Sequence, residues 1–223
     1  FTGGVVILAV LIGRLLLRKA PRIFSYTLWS IVLFRLICPV TISLPISLLP
    51  VNSKPVSPEI LTQASPAVNT GIPFLDQTVN TFLPTPAAGD SMNPLQVWAA
   101  VGSWLWLIGA AALLACSLIC LFRLRRKLKG AVSDGSGVMV SQKVDTPFVI
   151  GFFRPVVYLP AGLSAEEKEY ILLHERTHIR RKDHFIRLAS FLVLCVHWFN
   201  PLVGLAFSLS GKDMEMSCDE AVI

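Results

Sequence analysis

His174, Glu175 and His178 stand in the order His-Glu-x-x-His within the stretch EYILLHERTHIRRKDH. On a helix, residues four apart share a face, so the two imidazoles can aim a nitrogen each at one cation. Glu175 lies about 100° further round, placed to hold a water on that cation rather than to ligate it. Neutral imidazoles suit Zn2+, and a catalytic zinc takes three protein ligands and leaves a fourth position for water. The implied chemistry is metal-assisted hydrolysis, with Glu175 as the proton carrier. The third ligand must come from elsewhere. The stretch DMEMSCDEA offers Glu215 and Asp219, again four apart on one helical face. Glu215 is the candidate third ligand. Asp219 is the candidate partner that accepts a hydrogen bond from a ligating histidine and so sets its tautomer. Glu220 reads as part of a solvated acidic face. The bland alternative for the whole pattern is a solvated charged helix that matches by chance.

The elements around the motif weigh against chance. Ser164 followed by Glu167 forms a capping-box pattern. Acidic Glu166, Glu167 and Glu169 precede the motif, and Arg180, Arg181 and Lys182 follow it. That order suits the helix dipole at both ends, and predicts a helix of about five turns. Upstream, residues 138–144 alternate, and PFVIGFFRPVVYLP holds two β-rich pieces broken by Gly151 and Pro155. A small sheet or hairpin is expected there. An edge strand near residues 148–151 or 156–159 would hold an extended peptide by strand addition.

The rest of the chain is far more apolar than its charged helix. Of its 223 residues, 53% are hydrophobic and only 15% are charged, against about 25% charged in soluble domains. Mean hydropathy is positive. These numbers point to an integral membrane protein. The formal charge of +6 sits beside apolar runs, where basic residues set orientation; nucleic-acid binding is not expected. Residues 1–17 are apolar, but no small-residue cleavage site follows, so a membrane span is preferred to a signal peptide. The start at Phe1 and the end at Ile223 read as the bounds of a piece of a longer protein.

Two transmembrane helices are expected within residues 1–49, at about 1–17 and 25–49, joined by a cytosolic turn. An irregular extracytoplasmic loop follows at 50–96, then a third span at 97–122. Residues 123–223 form the cytosolic-side module. Basic residues flank the first turn and follow the third span as RLRRKLK, whereas Lys54 is the loop's one basic residue. The positive-inside rule then places the start outside and Arg123 onward inside. Arg14 is placed to snorkel to the interface, and Arg35 to face another helix. Cys38, Cys116, Cys120 and Cys195 lie in apolar runs and read as small buried hydrophobes; no CxxC pair exists.

Topology tests the ligand set. Residues 185–209 are apolar, and one straight span would carry Glu215 away from His174. Asn200-Pro201 interrupts the run, and each half is short for a full crossing. A buried or re-entrant helical hairpin is therefore expected, returning Glu215 to the histidines. His197 and Trp198 at the bend read as packing residues.

TPFVIGFFRPVVYLP, LLHERTHIRRKDH, HWFNPLVG and DMEMSCDEAV, in that order, resemble the BlaR/MecR-type membrane metallopeptidases. These are the transducer modules of bacterial β-lactam sensors and their antirepressor-like relatives. The likeness is close over residues 146–222 and loose over the spans. It implies a gluzincin fold with His174, His178 and Glu215 as zinc ligands and Glu175 as acid/base. Full-length receptors of this kind also carry a penicillin-binding sensor domain, for which these residues show no counterpart.

The expected protein is mainly α: transmembrane helices plus a gluzincin-like α+β zinc protease module with a small β-sheet and a helical hairpin. It would sit in a bacterial cell membrane, multi-pass, with the module on the cytosolic side. The expected function is a regulatory zinc metalloendopeptidase. Its candidate substrates are a transcriptional repressor or the chain itself, with membrane lipid and a homodimer as further partners. A site-2 intramembrane protease is disfavoured, because its motif needs an Asp where Leu202 stands. A housekeeping quality-control protease and an inactive membrane receptor or scaffold are the remaining alternatives.

Overall fold

A computed structural model describes residues 2–38, 73–82, 94–135 and 137–222. The end of the second expected span, residues 39–49, and most of the 50–96 loop lie outside the described residues. The helices are α1 (Thr2–Leu16), α2 (Arg22–Ile37), α3 (Pro73–Phe82), α4 (Pro94–Lys127), α5 (Ala165–Arg181), α6 (Asp183–Val196) and α7 (Pro201–Val222). A four-stranded sheet comprises β1 (Val132–Ser133), β2 (Val138–Ser141), β3 (Phe148–Ile150) and β4 (Val156–Pro160). The chain divides into one unit of Phe1–Val40 with Gly109–Ile223 and another of Thr41–Ile108.

In the first unit, α1, α2, α6 and α7 share a core. Ile7 and Val10, Trp29 and Val32, Val193, and Val203 and Ala206 are its buried members. With 15 and 16 residues, α1 and α2 fall short of the roughly 20 that a straight crossing needs. α2 starts at Arg22, before residue 25, where the second span was expected to begin. Among the described residues, one helix, Leu95–Lys127, is long and apolar enough to cross a membrane. Cys116 and Cys120 on it are exposed, contrary to the expectation of burial, because this helix packs little. Its Gly109 lies against the Trp198 ring, where a Cβ would come within 2.3 Å of Cε2. The second unit holds α3, inside the segment expected to be irregular.

The sheet runs in the order β1-β2-β4-β3. β3 and β4 form an antiparallel hairpin, and β2 pairs with β4 in parallel. Residues 156–159 are therefore central, not an edge; of the two strand-addition candidates only β3 keeps a free edge among the described residues. Gly151 ends β3 at φ 123°, and a Cβ there would meet the Arg154 carbonyl oxygen at 2.1 Å, so the turn requires glycine. Val157 and Leu159 face α5 and are covered by Ile171, Leu172 and Ile179. The sheet thereby holds one side of α5 and leaves its histidines to face elsewhere.

Two helix junctions orient the rest. Asn200 Oδ1 accepts from the Leu202 N–H at 3.0 Å, and Pro201 occupies the first helical position, where its missing N–H costs nothing. α6 and α7 pack as a hairpin. α7 then continues unbroken through Gly211 to Val222, so the hairpin's second arm and the acidic helix are one element of 22 residues. Between α5 and α6, Lys182 adopts φ 60°, ψ 31°, a left-handed conformation that costs a non-glycine residue roughly 1–2 kcal/mol. Lys182→Gly is expected to stabilise the folded chain by about 1 kcal/mol, read as a raised melting temperature in detergent.

Candidate metal centre

α5 begins with both halves of the capping box: Ser164 Oγ accepts from the Glu167 N–H, and the Glu167 carboxylate accepts from the Ser164 N–H at 2.9 Å. This secures the helix that bears His174, Glu175 and His178. α7 crosses beside it and brings Glu215 and Asp219 to the same face. His174 Nε2 lies 3.1 Å from His178 Nε2. Glu215 Oε2 lies 3.2 Å from His178 Nε2 and 3.6 Å from His174 Nε2.

That triangle can be tested against a metal. Zinc bonds of about 2.0–2.1 Å at tetrahedral angles space their ligand atoms by about 3.3 Å. The three distances straddle that value, and two imidazoles with one carboxylate are a donor set zinc accepts. The residues fit the ion. A rival trio is His174, His178 and Cys218, whose ligand atoms lie within 4.8 Å of one another. Cys218 is fully buried, and its thiol points at the His174 carbonyl oxygen at 3.5 Å. Burial pushes that thiol up to about 11, so forming the thiolate a metal needs costs more there than using Glu215, which is already an anion. Glu215 is the better third donor.

Each imidazole has a carboxylate behind it. His174 Nδ1 lies 3.2 Å from Asp219 Oδ1. His178 Nδ1 lies 2.7 Å from Asp183 Oδ2. Asp219 is where spacing predicted; Asp183 is new. It follows Lys182, and only the left-handed turn there swings it back to His178, so helical periodicity gives no hint of it. Asp183 is 2% exposed and also accepts from the Tyr26 hydroxyl at 2.7 Å. Arg187, also not foreseen, donates to Glu215 Oε1 at 3.2 Å.

The electrostatics follow from these contacts. Burial opposes charge on His178, but its hydrogen bonds to Asp183 and Glu215 outweigh that and raise the imidazole to about 9. The His178 hydrogen bond pulls Glu215 down to about 2 against its own desolvation. His174 Nε2, His178 Nε2 and Glu215 Oε2 thus converge where positive charge is favoured. Glu175 is half-buried, and desolvation raises its carboxyl above the usual range despite the two histidines. That direction suits a group that must take and return a proton.

Other sequence expectations change here. Arg14 does not snorkel: its Nε and Nη2 donate to Asp213 Oδ2 and Oδ1 at 2.7 and 2.9 Å. Glu220 is not merely solvated, since its Oε2 accepts from the Arg22 N–H at 2.6 Å at the start of α2. His197 stays away from the centre, with Nδ1 3.1 Å from the Val193 carbonyl.

The family described as BlaR1 peptidase M56 matches residues 1–223. The chain is 40% identical over 86 residues to "Regulatory protein BlaR1" of Bacillus licheniformis, covering 37% of this chain and 14% of the relative. It is 28% identical over 90 residues to "Methicillin resistance mecR1 protein" of Staphylococcus aureus, covering 39% and 15%. The same values hold for the protein of that name from Staphylococcus epidermidis. The matched stretches thus span about one-seventh of these relatives' lengths.

Proposed function

The chain belongs to the BlaR1 peptidase M56 family, and from that premise we propose that it is a membrane-bound zinc metalloendopeptidase that cuts peptide bonds at the cytosolic face. The supporting observation is the convergence of His174 Nε2, His178 Nε2 and Glu215 Oε2 at zinc-ligand spacing. On this reading those three residues hold the metal, and Asp219 orients His174. On the same proposal the chain is multi-pass with residues 123–223 inside, α4 as the full-length span and the shorter α1 and α2 accommodated by local thinning of the bilayer. The basic end of α4, Arg125 to Lys127, supports that orientation.

A bound Zn2+ would supply Lewis acidity, polarising the scissile carbonyl and acidifying a water. Glu175 takes the proton from that water and then donates it to the leaving amine. The free edge of β3 receives the substrate in extended form. Asp219 and Asp183 accept the Nδ1 protons of His174 and His178, which leaves each Nε2 lone pair for the metal. The regulatory reading, a signal-transducing antirepressor-type protease in β-lactam resistance, rests on the resemblance to the BlaR1 and mecR1 proteins. A transcriptional repressor or the chain itself is then the substrate.

Metal analysis of the purified chain tests the centre. One zinc per chain is expected, and Glu215→Ala should lose it; equal zinc retention in that variant would remove Glu215 from the ligand set. Asp183→Ala should weaken zinc binding by about 10–100-fold, measured by chelator competition.

A further inference from the structure

Two residues of α2 reach carboxylates beside the metal centre, one at the start of α6 and one on α7. Tyr26 and Trp29 are three apart and share a face. The Tyr26 hydroxyl donates to Asp183 Oδ1 at 2.7 Å, and Asp183 Oδ2 holds His178 Nδ1 at the same distance. The Trp29 indole N–H donates to Asp213 Oδ2 at 2.8 Å, and Arg14 of α1 closes the other side of that carboxylate. Asp213 is fully buried.

Asp213 and Glu215 are two apart on α7, hence about 200° apart round its axis. With Asp213 turned to α1 and α2, Glu215 is turned to α5. The grip on Asp213 therefore sets the rotation of α7 that delivers Glu215 to the histidines. The grip on Asp183 sets the ring of His178. One face of one helix thus governs a ligand atom on each of two others. Both carboxylates are buried and each also meets an arginine, Asp213 with Arg14 and Asp183 with Arg181 at 3.7 Å, so the α2 donors complete their hydrogen bonding where a lost donor is costly.

We propose that Tyr26 and Trp29 are positioning residues of the metal centre, and that the first helical hairpin sets the geometry of the zinc ligands through Asp183 and Asp213. This rests on the zinc reading above. It implies that a shift of α2 relative to α5 and α7 moves His178 and Glu215 together and alters the hold on the metal.

The test uses the full chain in detergent. Tyr26→Phe keeps its ring and removes one donor; Trp29→Phe removes the other donor and replaces the indole with a smaller ring, whose packing loss the Leu33→Ala control gauges. Zinc affinity is read by chelator competition and folding by the melting temperature of the zinc-free protein. Each variant is expected to bind zinc about tenfold more weakly, and the double variant about a hundredfold, the range for groups that orient ligands. Leu33→Ala, which loosens α2 in the same core without touching either carboxylate, should lower the melting temperature and leave zinc affinity within about twofold. The proposal is overturned if the double variant binds zinc as the parent does. It is equally overturned if Leu33→Ala weakens zinc as much as Tyr26→Phe, because packing alone would then explain the effect. A parent chain that binds no zinc overturns the metallopeptidase reading itself, an outcome distinct from both.

Discussion

Glu175→Ala is expected to leave the zinc in place and to lower peptide cleavage by about 10²–10⁴-fold, the range for a positioned general acid–base. Glu175 sits one residue after His174 and faces a different direction, so its removal spares the ligand triangle. Its carboxyl is raised by burial, which makes it a stronger base than an exposed glutamate. The measurement pairs zinc content with turnover of a peptide substrate on the same purified sample. In cells, cleavage products that vanish with Glu175→Ala would identify the substrate. Loss of zinc together with activity would instead make Glu175 a structural part of the site, and unchanged cleavage would remove it from the mechanism.

Asp213→Ala is expected to destabilise the chain by about 3–5 kcal/mol, the cost of leaving one partner of a buried ion pair alone. Asp213 is fully buried, and its loss orphans the Arg14 guanidinium among apolar helices and the Trp29 N–H. Asp213→Asn keeps an acceptor for Trp29 and should cost less. The check is thermal unfolding in detergent, with Glu220→Ala as a comparison. Glu220 is exposed and accepts one backbone hydrogen bond at the start of α2, so its removal should cost about 0.5–2 kcal/mol, as for other helix caps. Equal losses at the two positions would mean that the Arg14–Asp213 pair is solvated rather than buried. The pair also explains an arginine inside an apolar run: such charges persist in membrane segments when they are paired within the bundle.

The same positions separate what sequence decides from what packing decides. The helix carrying His174, Glu175 and His178 was legible because its signals are local: a capping box, a dipole-matched charge order and a four-residue repeat. The β3–β4 hairpin was legible for the same reason, from β-rich pieces broken at Gly151 and Pro155. Helix ends were less so. α2 begins at Arg22, where Glu220 from the far end of the chain caps it, and α7 runs straight through Ser210, where the apolar and acidic stretches had seemed to part. Hydropathy marks the medium around a residue, not where the backbone hydrogen bonds stop. Cys218 stands in a polar stretch of sequence yet lies buried, whereas Cys116 and Cys120 lie exposed in an apolar helix.

His-Glu-x-x-His with Glu215 and Asp219 was readable from the sequence as a demand: given the first two ligands, a third donor had to return to their face, and Asn200-Pro201 was the place for the chain to turn. The sequence by itself determined the helix, the donor types and that requirement. Only the tertiary structure decided which carboxylates hold the histidines from behind and what holds those carboxylates in turn. Asp183 reaches His178 through a left-handed Lys182 that no periodicity predicts. Arg14 meets Asp213 across 199 residues. Such pairs are chosen by the cost of burying charge without a partner, and that cost exists only once helices far apart in sequence have packed.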